Sequence, residues 1–245
     1  MKKTPLRDIF FPPRCCGCDT LTQDDTPYCK SCQKLVIPYK NTNSECDICG
    51  FRLNKCICGK RRFYTSFTTV FYHEDKARKN IFRLKFHSRP DIAENFAKAL
   101  ILQLNEREIL ENTDIITFVP MRAFSKLKRG YNQSELIAKQ MSRNTGIEYL
   151  PLLTKELKTR NQHTLGKIAR STNLLGAFEL KKEYSEYIQG KNILIVDDVF
   201  TTGSTMNEIA KTLLIFGADK IFAASCTLTR KKQLNQKDSY VKMNP

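Results

Sequence analysis

The chain has 245 residues, 41% of them hydrophobic, and carries a formal net charge of +16. A chain of this size can bury one substantial core and carry a small module beside it. No apolar run approaches the roughly 20 residues of a bilayer span and no signal-peptide core opens the sequence, which excludes a helical membrane anchor and makes the cytoplasm the expected location.

The positive excess is segregated. Residues 76–90 hold six Lys/Arg and no acid, residues 122–170 hold eleven against three, and residues 230–245 hold five against one, whereas residues 91–121 are net negative. A polyanionic partner is therefore expected, and both a nucleic acid and a diphosphate-bearing substrate account for it.

Nine of the ten cysteines fall within residues 15–58. In a cytosolic chain such paired spacings indicate zinc rather than disulfides. Cys15-x-x-Cys18 and Cys29-x-x-Cys32 suit a tetrahedral four-cysteine site, because each tight turn presents two thiolates to one metal. Cys16, lying between two ligands, reads as a spectator. Cys46-x-x-Cys49 and Cys56-x-Cys58 form a second set whose last pair is one residue tight. A second zinc, one site borrowing ligands across pairs, or an unligated Cys56 all fit this spacing. Metal would fold a segment too small to bury a core of its own, and the same ribbon could contact nucleic acid or a partner protein. Residues 1–62 thus read as a cysteine-rich double zinc ribbon, closed by Lys60-Arg61-Arg62.

Residues 63–230 read as the main domain. Phe63, Tyr64, Phe67, Val70, Phe71 and Tyr72 mark a β-prone stretch. Asp75 can cap a helix to about His87, with Ala77, Ile81 and Leu84 on one face and Arg78, Lys79, Arg83 and Lys85 elsewhere. Ser88 and Pro90 open a second helix, continued by Ile92, Phe96, Ala99 and Leu100. His73 and His87 stand isolated and read as surface or core-filling groups. A core strand over 114–119 ends at Pro120, and a basic loop runs from Met121 to Gly130. Asn132-x-x-Glu135 then starts a helix by a cap and a reach-back acid. Residues 147–153 read as a strand and 154–176 as a polar, basic loop with a short helix. Strands follow at 191–199 and 220–228, the second enclosing Cys226 as a buried thiol. This alternation predicts an α/β fold with a parallel sheet covered on both faces. Residues 231–245 form a charged tail.

Chemistry concentrates at 193–205. Ile193 to Val196 read as a strand buried on both faces. Asp197 and Asp198 follow, then the turn Thr201-Thr202-Gly203-Ser204-Thr205, then a helical pattern through Met206, Ile209, Ala210, Leu213 and Leu214 that Gly217 can end. A hydroxyl- and glycine-rich turn at a helix N-terminus suits phosphate, because unpaired N–H groups and the helix dipole both favour an anion. Carboxylates just behind it would repel phosphate, but they can accept hydrogen bonds from sugar hydroxyls or hold a divalent metal through water. Together they ask for a ribose 5-phosphate. A Walker B strand is the rival reading, but no G-x-x-x-x-G-K-[ST] occurs in the chain.

The stretch resembles the phosphoribosyl diphosphate (PRPP) motif of type I phosphoribosyltransferases. With Arg129-Gly130-Tyr131-Asn132-Gln133, Thr159-x-x-Gln162, Arg170-x-x-Asn173 and Ala177-Phe178 downstream of a cysteine ribbon, the chain is similar to the competence protein F (ComF/ComFC) family from Phe10 to about Arg230. Tyr131 stands where that family usually has Phe, and Cys56-x-Cys58 where it has Cys-x-x-Cys. The resemblance implies a type I phosphoribosyltransferase fold that binds PRPP with Mg²⁺ and acts in DNA uptake during natural transformation, beside a helicase-like partner on single-stranded DNA. Asp197 and Asp198 would then hold the ribose hydroxyls and Thr201 to Thr205 the 5-phosphate. Arg129, with Gly130 behind it, and Lys155 or Arg160 would clamp the diphosphate. The alternative is a non-catalytic single-stranded-DNA or helicase-binding module, for which Tyr64, Phe67 and Tyr131 are the candidate stacking aromatics.

Overall fold

The computed structural model describes Pro12, residues 14–22, 26–37, Cys46, 62–86, Arg89, 91–155 and 177–229. Seven strands run along it: β1 (Ser66–Tyr72), β2 (Ile115–Phe118), β3 (Glu148–Tyr149), β4 (Leu153–Lys155), β5 (Phe178–Leu180), β6 (Ile193–Phe200) and β7 (Ile221–Leu228). The helices are α1 (Lys30–Gln33), α2 (Asp75–Phe86), α3 (Asp91–Asn105), α4 (Ala123–Arg129), α5 (Gln133–Thr145) and α6 (Ser204–Ile215). Five strands make one all-parallel sheet in the order β1-β7-β6-β2-β3, and β4 pairs antiparallel with β5 in a small second sheet.

The expected parallel sheet covered on both faces is present, and the reason lies in its central strands. All eight residues of β7 are buried, as are Ile193 to Val196 of β6, so these strands need apolar cover above and below. Alternate residues divide the core. Val70, Ile116, Leu194, Val196, Ala224 and Cys226 face the layer of α2, α3 and α5. Phe67, Ile115, Ile193, Ile195 and Ala223 face α6. Phe96 and Leu100 of α3, both fully buried, anchor the first layer, as their helical spacing predicts.

Two expected elements differ. The basic loop from Met121 to Gly130 folds into α4, a helix with no buried residue and hence no apolar periodicity to betray it. The single strand expected over 147–153 splits in two. Glu148–Tyr149 joins the main sheet and Leu153–Lys155 the small one, with Pro151, which cannot donate to a ladder, between them. Of the loop and short helix expected over 154–176, Thr154 and Lys155 are instead part of strand β4, and 156–176 lie outside the described residues, as do the tail from 230 onward, His87 and the capping pair Ser88 and Pro90. Among the described residues no helix is long and apolar enough to cross a membrane.

The cysteine-rich segment packs directly on this core. Cys15, Cys16 and Cys32 are each about 1% exposed and share a cluster with Val70 and Phe71 of β1. Val36 bridges Phe71, and the Ile37 amide donates to the Val70 carbonyl at 2.8 Å, extending the sheet edge.

Candidate functional site

The two directions of winding meet between β2 and β6. From β2 the chain passes through α5 to the edge strand β3, and from β6 it passes through α6 to β7 on the other side. A crevice at the carboxyl ends of two such neighbours is where α/β sheets take ligands. Pairing of β2 with β6 stops at Phe118 and Val196, one step before the acids, while β6 stays paired to β7 as far as Phe200. Asp197 and Asp198 are therefore held by a ladder on one side and face an opening on the other.

Neighbouring residues of a strand point to opposite faces, and the two acids have different partners. Asp197 Oδ1 accepts from the Ser134 hydroxyl and from the Asp198 amide, each at 2.9 Å. Burial, and then the nearby charge of Asp198, push the Asp197 carboxyl up to about 7, against the pull of those two hydrogen bonds. Asp198 is buried and meets the Lys85 ammonium, 2.6 Å from its Oδ2. That contact lies off hydrogen-bond geometry, so Oδ2 accepts no hydrogen bond among the described residues. The Asp198 carbonyl accepts from the Thr227 hydroxyl at 3.3 Å, and Thr227 Oγ1 lies 2.9 Å from His73 Nδ1. Burial, Lys85 and Arg78 lower the His73 pKa, so the imidazole is neutral at pH 7.

The turn after β6 is preformed. Gly203 has φ +74°, and a Cβ there would lie 2.4 Å from the Phe200 ring, so only glycine fits. It leads into α6 with no side-chain cap on the helix N-terminus. Thr201, Thr202 and Ser204 are exposed and Thr205 half-exposed, with the Thr202 and Ser204 hydroxyls 2.8 Å apart. The Ser204 amide donates to Thr202 Oγ1 at 3.4 Å, and the remaining first-turn amides, ringed by hydroxyls, make an anion cradle.

The opposite wall is the Arg129 to Ser134 stretch, each residue of which has a visible task. Arg129 donates to Gln133 at 2.7 Å and lies 4.9 Å from the centre of the Phe86 ring. Gly130 ends α4 in the left-handed region at φ +82°. The Tyr131 hydroxyl, the atom absent from a Phe, donates to the Leu84 carbonyl. Asn132 caps α5 through the Ser134 amide and also donates to the Val119 carbonyl at 3.0 Å. Ser134 then reaches Asp197. Lys155 stands apart in the small sheet, its ammonium 5.0 Å from the Phe178 ring centre, and Arg160 lies outside the described residues.

Sequence reasoning missed Lys85, Ser134 and Thr227, which lie far along the chain from the acids and belong to no motif that announces them. His73, expected to stand alone, is a neighbour of this group. The proposed stacking aromatics are corrected: Tyr64 and Phe67 are 3% and 2% exposed, taken up by the core, and Tyr131 is half-buried. Exposed aromatics among the described residues include Phe82, Phe86, Phe124 and Tyr187, and of these Phe82 and Phe86, at 53% and 58%, have ring centres 4.8 Å apart. Phe82 borders a cleft of about 800 Å³ walled also by Arg78, Lys79, Arg83, Lys85 and Arg89.

The first cysteine set assembles as expected. Sulfur atoms of Cys15, Cys18, Cys29 and Cys32 all lie within 4.8 Å of one another, with Cys18 and Cys29 3.6 Å apart. Bonds of about 2.3 Å from one Zn²⁺ to four thiolates require spacings of this order. Burial raises Cys15 and Cys32, whereas at Cys29 the Cys32 amide and neighbouring thiols outweigh burial and bring it to about 6. Cys16 is fully buried among apolar side chains and stays out of the cluster, as a spectator should. Of the second set, Cys46 is described and Cys49, Cys56 and Cys58 are not.

The phosphoribosyl transferase domain family matches residues 95–244. Competence protein F of Haemophilus influenzae is 31% identical over 225 residues, covering 86% of this chain and 95% of that protein. DNA utilization protein YhgH of Escherichia coli K12 is 32% identical over 208 residues, covering 83% and 85%. Competence protein ComFC of Bacillus subtilis is 24% identical over 207 residues, covering 79% and 80%.

Proposed function

This chain belongs to the phosphoribosyl transferase domain family and to the competence protein F family, and from that premise we propose that it binds PRPP in the β2/β6 crevice and transfers or holds the phosphoribosyl group during DNA handling in the cytoplasm. The observation that supports this most directly is the juxtaposition of an uncapped, hydroxyl-ringed helix N-terminus with two carboxylates one strand-end away. In this reading the Thr201 to Thr205 turn takes the 5-phosphate, while Asp197 and Asp198 accept hydrogen bonds from the ribose 2′- and 3′-hydroxyls. Arg129, with Lys155 and Arg160, is assigned to the diphosphate.

Transfer breaks the bond between the anomeric carbon and the diphosphate oxygen, whose electron pair departs with diphosphate, while the acceptor's nucleophile bonds to that carbon and gives up its proton. The chain's part is to position the sugar and neutralise the leaving group. The acid pair also fits Mg²⁺ held through water, since both offer hard oxygen ligands, and bound Mg²⁺ would supply charge neutralisation at the diphosphate. Zn²⁺ is assigned to Cys15, Cys18, Cys29 and Cys32, where it serves folding.

The test is calorimetric titration with PRPP and Mg²⁺. Asp197→Asn combined with Asp198→Asn should weaken binding at least about 100-fold while the variant still unfolds in one cooperative thermal transition. Unchanged affinity in that variant would defeat the assignment. Diphosphate release across a panel of acceptors then separates transfer from binding alone.

A second reading, contact with single-stranded DNA, is favoured by the exposed Phe82 and Phe86 pair, with Phe82 lining a cleft that holds five cations. Aromatic platforms along a basic groove suit bases and backbone respectively. Oligonucleotide affinity should fall steeply with salt and drop on Phe82→Ala with Phe86→Ala. Weak, salt-insensitive binding rejects it.

A further inference from the structure

Two carboxylates at the sugar create an electrostatic difficulty that PRPP worsens, because its phosphate and diphosphate are repelled by both. The chain carries its own remedy on α2. We propose that Lys85 is a positioning residue that holds Asp198 for the ribose hydroxyls and offsets its charge, so that the site accepts a polyanionic sugar with less dependence on divalent cation. This rests on the crevice being the PRPP site.

The geometry is specific. Lys85 Nζ lies 2.6 Å from Asp198 Oδ2, with the two side chains 25% and 10% exposed. Among the described residues no other cation pairs with either acid, although Arg78 and Lys79 line the same cleft. The ammonium neutralises this buried carboxylate at contact distance, as a counter-ion should, and Oδ2 has no further partner among the described residues.

Lys85 is also held in place, unlike a free surface lysine. It sits in the last turn of α2, between the fully buried Leu84 and a Phe86 ring covered by Arg129. The Tyr131 hydroxyl ties the Leu84 carbonyl to the wall that also carries Ser134. From the other side Asn80, fully buried, donates to the carbonyls of Cys15 and Cys16 at 3.2 and 2.9 Å. Arg83 and Arg89 both reach the Asp19 carboxylate, at 3.2 and 3.1 Å. The helix bearing Lys85 is thus clamped between the cysteine knuckle and the crevice wall.

The experiment is calorimetric titration of PRPP into the full, zinc-loaded chain at low and at saturating Mg²⁺, for wild type, Lys85→Met and Lys85→Arg. Lys85→Met should lose about tenfold or more in affinity at low Mg²⁺ and recover most of it at saturation, while Lys85→Arg stays close to wild type. Lys85→Gln, which is shorter but keeps a neutral polar donor, carries the same expectation if Lys85→Met does not fold. A loss equal at both Mg²⁺ levels marks a merely structural lysine and overturns the proposal, as does no loss at all. If wild type binds no PRPP at either level, the site reading itself fails and takes this one with it.

Discussion

The cysteine knuckle and the acid crevice are both tied to helix α2 and are built on opposite principles. The knuckle draws all four sulfurs from 18 consecutive residues and brings them within 4.8 Å of one another. The crevice gathers Lys85, Ser134, Asp197, Asp198 and Thr227 from four distant segments, and its side chains pair with the acids or their backbone. One region is local in sequence and, with zinc bound as proposed, would owe its order to metal. The other is dispersed in sequence and ordered by the sheet. Metal removal should therefore separate them more sharply than any substitution.

Stripping zinc with a chelator, or replacing Cys29 and Cys32 by Ser, should cost several kcal/mol at the knuckle, because metal binding there is folding energy. Hydrogen exchange should accelerate first over residues 14–37, while amides of β6 and β7 keep their protection. Equal loss of protection in both regions would break the contrast and make the knuckle part of one cooperative unit with the sheet.

That contrast also explains what the sequence discloses. The Cys-x-x-Cys pairs, the buried strand, the acid pair and the Gly203 turn are legible because their function is set by spacing along the chain. Asn132 as a cap was legible for the same reason, and the structure shows it capping α5. Lys85 reads as one more cation on a basic helix, and only the packing of α2 turns it toward Asp198. Ser134 is hidden behind a cap signal that explains its neighbours. Helix α4 escaped because it buries nothing, and Tyr64 and Phe67 misled because β1 and the segment leading into it are covered by core, so neither ring reaches the surface.

The crevice is best probed by pH. The ordinary value for Asp197 is 3.8, and burial beside Asp198 raises it to about 7 in the folded chain. The folded state therefore binds this proton more tightly than the unfolded one. The resulting stability is fully present below about pH 4 and is lost as pH rises through about 7. Asp197→Asn, neutral throughout, should be more stable than wild type at pH 8 by about 2 kcal/mol. The advantage should vanish near pH 4. Urea unfolding at the two pH values checks both sign and size, and a gap that widens toward low pH would reverse the assignment.

The smallest effect tests whether the two regions are independent. Asp19 stands in the knuckle at φ +66°, and its carboxylate faces both Arg83 and Arg89. Asn tolerates the same left-handed backbone, so Asp19→Asn removes charge without adding strain. Arg83 is 41% exposed and Arg89 32%, so solvent screens these pairs and the loss in stability should be about 1 kcal/mol or less. The informative readout is PRPP affinity, because the same helix carries Lys85 to Asp198. Asn80 still holds α2 against the knuckle, so the affinity should fall by no more than about threefold. A larger drop, with zinc content unchanged, would mean that a charge in the metal knuckle sets the geometry of the sugar site.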